Sequence, residues 1–232
     1  MRDTLQVTQL KQKYKNEQVL VVPASVIDGV PDGFCQTISQ TVSKIFKTSH
    51  SFVYRYDAEY NYSLIQLIPY VIVTNVTQSS LFVTQRMRGE ERLISALSLG
   101  CSGHVNPEDF SQDTVYKAAI REMTEELNVK LKDNTKLEVY GTVRDLKSST
   151  KEHLGLVYLA TAEEVTVKEK DTLRGQWMNM SGLVTNYYKF ESWARLIVDH
   201  LFINHKKSGK LFLTAPLTGA RQHDRKRKKT VG

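Results

Sequence analysis

Cysteine is scarce in this sequence, since only Cys35 and Cys101 occur among its 232 residues. Two cysteines cannot build the disulfide framework of a small secreted domain, so we expect a reducing, cytoplasmic setting. Long apolar runs are also missing, because no segment approaches the roughly 20 consecutive apolar residues that cross a bilayer. The first residues lack the apolar core of a signal peptide. We therefore expect neither secretion nor a membrane partner.

The charge balance is basic but unevenly distributed. The formal net charge is +7, from 32 Lys and Arg against 25 Asp and Glu, which would suit an anionic partner. Residues 221–229 alone hold six basic side chains and one acidic one, a net of +5, so the other residues carry only +2. We expect residues 206–232 to form a basic, flexible tail. Nucleic-acid binding, acidic-surface binding and a localisation signal are its functional alternatives.

Hydrophobic periodicity predicts interspersed strands and helices. Apolar alternation or continuous apolar residues predict strands at 18–22, 64–76, 81–87, 136–146 and 154–161. Three-to-four spacing predicts helices at 34–47, 114–127 and 190–202. We expect three units: an N-terminal extension at 1–50 packed on the core, a main domain at 51–205, and the tail.

The helix predicted at 114–127 carries three carboxylates on one strip. At 100° per residue, Glu122, Glu125 and Glu126 fall within an arc of about 100°. Like charges at this spacing repel on a helix surface, whereas a divalent cation would convert the repulsion into binding. Arg121 lies one turn before Glu125 and could pair with it. The alternative interpretation is a solvated acidic face with a helix ion pair.

The helix and the segment before it contain Gly103-His104-Val105, a loop, and then Arg121-Glu122-Met123-Thr124-Glu125-Glu126. This arrangement resembles the Nudix box, the loop–helix–loop signature of hydrolases that act on a nucleoside diphosphate linked to another group. The signature is glycine, five residues, Glu, seven residues, Arg-Glu, an apolar residue, any residue, Glu-Glu, any residue, Gly and an apolar residue. The positions in register are Arg121, Glu122, Met123, Glu125, Glu126 and Val129. The whole chain resembles a subgroup of predicted Nudix phosphoesterases that carry the Gly-His-Val form of the box.

The sequence departs from this signature in the loop and after the helix. Seven residues separate Asp113 from Arg121, so Asp113 stands where the signature has Glu, but nine residues rather than five separate it from Gly103. Glu108 could fill the first acidic position instead. Asn128 replaces the glycine after the helix, and asparagine also tolerates the left-handed conformation at a helix C-cap.

The resemblance implies an α/β/α sandwich with a mixed β-sheet, and hydrolysis of a diphosphate bond with Mg²⁺ or Mn²⁺ as the cofactor. It implies Glu122 and Glu126 as metal ligands, with Glu125 as a further ligand or as a partner of the ligands. Arg121 would pair within the box. The general base could be Glu125, Glu126 or Glu152, a residue just before a predicted strand.

Further residues are candidates for substrate contact. Arg86 at a strand end could bind phosphate oxygens, because arginine suits bidentate oxyanion recognition. Gly103 and His104 are expected near the metal or the substrate, and the alternative for His104 is a structural histidine that is hydrogen-bonded to the backbone. Cys101 is expected to be a small buried thiol. Many relatives form homodimers, which the resemblance also suggests here. A second functional hypothesis is a catalytically weak Nudix fold that binds a nucleotide or RNA.

Overall fold

The computed structural model describes residues 4–36, 45, 50–88, 94–134, 136–168, 170–208 and 211. Its α-helices are α1 (Thr4–Tyr14), α2 (Arg55–Ala58), α3 (Thr114–Glu126), α4 (Met180–Thr185) and α5 (Ser192–Ser208). Its strands are β1 (Gln18–Pro23), β2 (Gly33–Cys35), β3 (Ser51–Tyr54), β4 (Leu64–Asn75), β5 (Ser80–Arg86), β6 (Leu97–Leu99), β7 (Cys101–Ser102), β8 (Leu127–Leu131), β9 (Glu138–Arg144), β10 (His153–Val167) and β11 (Leu173–Asn179). None of the helices in this part of the chain is both long and apolar enough to cross a membrane.

These strands form one mixed sheet in which β4 and β10 are central. The main order is β11-β5-β4-β10-β9-β2, and β4 runs parallel to β10 over ten residue pairs. The other strand pairs of the described chain are antiparallel. The short strand β7 and the N-terminal strand β1 pair with β4 on the side away from β10. The loop before α3 therefore leaves the sheet beside its most buried strand.

Two hydrophobic cores lie on opposite faces of this sheet, because successive strand residues point to opposite sides. Along β4, Val71 and Val73 join the core packed under α3, whereas Tyr70 and Ile72 join the core packed under α5. Trp193 and four further apolar residues give α5 its buried stripe. Helices thus cover both faces, which confirms the α/β/α sandwich with a mixed sheet.

The N-terminal part of the chain differs from the periodicity-based prediction. Phe34 and Cys35 were expected to begin a helix at 34–47, but they lie in β2 and pair with β9. Apart from Gln36 and Ile45, the rest of that predicted helix falls outside the described residues. The spacing of apolar residues in this segment did not indicate that it would pair with the edge of β9 as a strand.

The predicted domain limits stay predictions, although several features of the structure bear on them. Strand β1 lies in the segment assigned to the extension and pairs with both β3 and β4. Helix α5 continues to Ser208, beyond the expected start of the basic tail at 206, and Leu211 is buried. Residues 212–232, with most of the basic cluster, lie outside the described residues.

Candidate functional site

Helix α3 places the acidic strip beside the sheet. Its amphipathic spacing buries one face against β4 and β7, and the buried side chains are Thr114, Val115, Ala118, Ala119 and Met123. At the N-terminus, the Thr114 hydroxyl donates to the carbonyl of Ser111 and accepts from its amide. These contacts start the helix because they fix the backbone of the turn before it.

The helix ends at Glu126 without a left-handed cap. Leu127 adopts an extended conformation (φ −128°, ψ 147°), and the chain continues directly into β8. Asn128 pairs with Thr166 of β10 and is not among the positive-φ residues of the described chain. Asn128 therefore does not use the left-handed conformation that asparagine tolerates at a C-cap, because strand pairing with β10 sets its backbone.

Arg121 organises the strip through six hydrogen-bonding contacts. Its Nε lies 3.0 Å from Oδ1 of Asp109, and its Nη2 lies 2.9 Å from Oδ2 of the same side chain. Nη2 also donates to the backbone oxygen of His104 at 2.8 Å. Nη1 donates to Glu122 at 2.8 Å and to Glu125 at 3.1 Å. The predicted pairing with Glu125 is present, within a larger network that fixes the guanidinium.

Asp109, and neither of the two candidates Asp113 and Glu108, is the acid of the loop that pairs with Arg121. It is 1% exposed, and it pairs with Arg121 while accepting a hydrogen bond from the amide of Asn106. Asp113 is exposed and provides no side-chain cap for α3. Five residues separate Gly103 from Asp109, as in the Nudix signature, so the four additional residues lie between Asp109 and Arg121. That spacing was the signal that the sequence reading missed.

Glu122 is the most buried carboxylate of the strip. A Cβ atom at position 103 would overlap its carboxyl group, so glycine at this position leaves room for that carboxyl. Burial raises the pKa of Glu122 to about 7, although Arg121 opposes the shift. Behind it, the thiol of Cys101 has its pKa raised by burial and then by the charges of Glu126 and Glu122, so the predicted small buried thiol is confirmed.

Glu126 and Glu125 have different surroundings. Arg86 at the end of β5 pairs with Glu126 at 3.1 Å, and the side chain of Glu126 is 14% exposed. The side chain of Glu125 is 53% exposed. Arg86, the arginine expected at a strand end, thus lies against the strip. The exposure of the three carboxylates increases from Glu122 through Glu126 to Glu125.

Comparison with known proteins supports one family. Over 156 residues, 63% of this chain and 76% of the relative, the chain is 32% identical to Protein YmaB of Bacillus subtilis (strain 168). The solved structure of Tm1382, "a putative Nudix hydrolase", superposes with a TM-score of 0.69 at 25% identity, covering 81% of this chain and 100% of that one. No protein-family model matches the chain. The chain belongs to the Nudix superfamily.

Glu152 does not lie with the other candidate catalytic residues on the acidic strip of α3. It is completely buried, and its Oε1 accepts a hydrogen bond from the amide of Tyr60 at 3.2 Å. Tyr60 has a positive φ of 58°, so this contact holds a turn in a conformation that tyrosine rarely adopts. We therefore leave Glu152 out of the proposed catalytic set, because a general base has to reach a water molecule.

The side chain of His104 also departs from its expected place. Its backbone oxygen contacts Arg121, but its imidazole lies 5.7 Å from that of His153, measured between ring centroids. His104 thus joins the Nudix helix to a second polar cluster. Its expected contact with substrate stays a prediction, as does that of Gly103.

Proposed function

We propose that this protein is a Mg²⁺-dependent Nudix pyrophosphohydrolase, with Mn²⁺ as a substitute, that cleaves the diphosphate of a nucleoside-diphosphate-linked or related substrate. The observation that carries the proposal is the arrangement of Glu122, Glu125 and Glu126 on one strip of α3, with Arg121 fixing two of them. A solvated acidic face would need no buried carboxylate and no arginine network behind it.

The strip fits a hard divalent cation. Its donors are carboxylate oxygens, which Mg²⁺ prefers, and Gly103 leaves the space that Glu122 fills. We assign Glu122 and Glu126 as ligands and Glu125 as a third ligand or an orienting neighbour. A bound cation would supply charge neutralisation at the diphosphate oxygens and a more acidic water.

The protein side chains have separate roles in this proposal. Arg121 holds the carboxylates of Glu122 and Glu125 in place, so it is a positioning residue. Glu125 is the solvated carboxylate, and we assign it as the first-choice acceptor of the proton from the attacking water, with Glu126 as the alternative. Arg86 lies within reach of the strip and is 32% exposed, so it can contact phosphate oxygens of the substrate.

The reaction adds one water across the phosphoanhydride. The water oxygen bonds to one phosphorus atom, the bond from that phosphorus to the bridging oxygen breaks, and the bridging oxygen leaves with the other phosphate. The proton lost by the water passes to the base. Two phosphate-bearing products result, and neither oxidation nor a second substrate is required.

The test is an assay of nucleoside diphosphate derivatives with Mg²⁺ or Mn²⁺ in ¹⁸O-labelled water. We expect metal-dependent turnover, with the label in one of the two products. Glu126→Gln should lower kcat/KM by about a hundredfold or more, because it removes a charged ligand of the proposed cation. A hundredfold loss corresponds to about 2.7 kcal/mol of transition-state stabilisation.

Glu138→Gln is the matched control, since Glu138 is an exposed carboxylate on β9. It should leave turnover unchanged. Full activity in Glu126→Gln would remove the strip from the mechanism. Tight nucleotide binding without metal-dependent turnover would instead support the binding-protein hypothesis over the hydrolase.

A further inference from the structure

A second polar cluster lies at the start of β10, where Glu152 and His153 enter the sheet. Leu154 and Leu156 belong to the core under α3, whereas the odd-numbered residues Val157 and Leu159 belong to the core under α5. By this alternation His153 points to the α5 face, away from the acidic strip. The cluster is therefore separate from the proposed catalytic carboxylates.

Three side chains in the cluster converge. One ligand atom each from Glu59, His104 and His153 lies within 4.8 Å of the other two. Glu59 and His153 are each 4% exposed. The Nδ1 atom of His153 lies 3.2 Å from the backbone oxygen of Thr150, which can only accept, so Nδ1 is the donor and Nε2 is the ring nitrogen that would bind a metal.

The carboxylate of Glu59 is held from behind. Arg55, one turn earlier, donates from Nε to Oε1 of Glu59 at 3.0 Å and pairs through Nη1 with Glu17. Arg55 thus orients the carboxylate of Glu59, and the backbone oxygen of Thr150 orients the imidazole of His153. Protein metal ligands commonly have outer hydrogen-bond partners of this kind.

Gln66 supplies an independent sign that the cluster takes a ligand. It is fully buried, and within the described chain neither its amide nitrogen nor its amide oxygen has a hydrogen-bond partner. In the parallel pair of β4 and β10 it lies opposite His153, so both side chains project from the same face. Burying two unsatisfied polar atoms is unfavourable, and a bound ion with its water would offset that cost.

We propose that Glu59, His104 and His153 form a second metal site, selective for Zn²⁺ or a similar transition metal over Mg²⁺. Two imidazoles and one carboxylate suit zinc, whereas Mg²⁺ favours oxygen ligands. Ligand atoms around tetrahedral zinc stand about 3.4 Å apart, so side-chain movements of about 1 Å would close the site. It would join the end of α2, the loop before α3 and the start of β10. Because His104 also contacts Arg121, the site would hold that loop in place.

The test titrates Zn²⁺ and Co²⁺ into the full chain, free of any affinity tag, in excess Mg²⁺. We expect one tight Zn²⁺ equivalent in the wild type, and also in the double variant Glu122→Gln/Glu126→Gln that lacks the catalytic carboxylates. Bound Co²⁺ should give the strong visible absorption of low-coordinate imidazole ligation. His153→Gln and Glu59→Gln should each weaken Zn²⁺ binding at least tenfold.

His200→Gln is the matched control, because His200 is also partly buried but contacts Gln36 and Asn204. It should bind Zn²⁺ as the wild type does. Near-ultraviolet circular dichroism of each metal-free variant checks that it folds. The Co²⁺ spectrum of the wild type tests the site without any substitution. Wild type that binds no Zn²⁺ in excess Mg²⁺, or unchanged affinity in His153→Gln, would overturn the proposal.

Discussion

The buried carboxyl of Glu122 gives the most quantitative test of the proposed site. Its side chain is 12% exposed, whereas that of Glu125 on the same helix is 53% exposed. The perturbation is Glu122→Gln, which removes the titrating group and keeps a similar shape. Glu125→Gln is the matched control, because both residues accept a hydrogen bond from Nη1 of Arg121 and Glu125 is much more exposed.

The magnitude follows from the raised pKa of Glu122. Its value is about 7 in the folded protein against 4.5 in the reference state, mainly because burial penalises the charged form. Between these values the folded state keeps the proton that the unfolded state has lost, so the free energy of unfolding falls as pH rises. The two pKa values differ by about 2.5, which at about 1.4 kcal/mol per pKa unit amounts to about 3 kcal/mol. This stability is present below pH 4.5 and lost above pH 7.

Urea unfolding in the presence of a chelator measures this effect. The wild type should lose about 3 kcal/mol more than Glu122→Gln between pH 4.5 and pH 8. Glu125→Gln should follow the wild type. Mg²⁺ at pH 8 should restore stability in the wild type more than in Glu122→Gln, because the cation binds the ionised carboxylate. An identical pH profile in Glu122→Gln would refute the reasoning.

Three further predictions concern the same region. Gly103→Ala should raise the Mg²⁺ concentration needed for half-maximal turnover at least tenfold, since its methyl group would displace the carboxyl of Glu122. Titrating the activity with Mg²⁺ would show this, and an unchanged Mg²⁺ requirement would contradict it. Asp109→Asn should lower the free energy of unfolding by about 1–3 kcal/mol in urea titrations, because Arg121 loses its buried counter-charge; wild-type stability would argue against that ion pair. Cys101 should react with a thiol reagent only after unfolding, because burial raises its pKa, so one of the two thiols should stay protected in the native protein.

Helix α3 was predictable because the residues that define it lie close together in the sequence. Apolar spacing gave α3 within one residue of its observed end, and the i,i+4 relation of Arg121 and Glu125 gave their ion pair. Strand β11 was not predicted as a strand. Its four central residues are exposed, so it has no clear alternation, and pairing with β5 rather than periodicity makes it a strand.

Non-local contacts account for the errors at the site. Asp109 meets Arg121 because a short 3-10 turn and an eleven-residue segment bring the loop back against α3. Glu152 looked like a loop acid near the active site, yet its carboxylate is buried and holds the turn at Tyr60, 92 positions earlier. The spacing of residues within one segment does not indicate which distant segment packs against it.

By itself, the sequence determined the amphipathic helix, its three carboxylates and the resemblance that identifies the family, because all three depend on spacing within about ten residues. Only the tertiary structure decided which acid pairs with Arg121 and that His104 and His153 meet on the opposite face of the sheet. The physical reason is that strand register sets which distant side chains share a face, and burial then sets their charge.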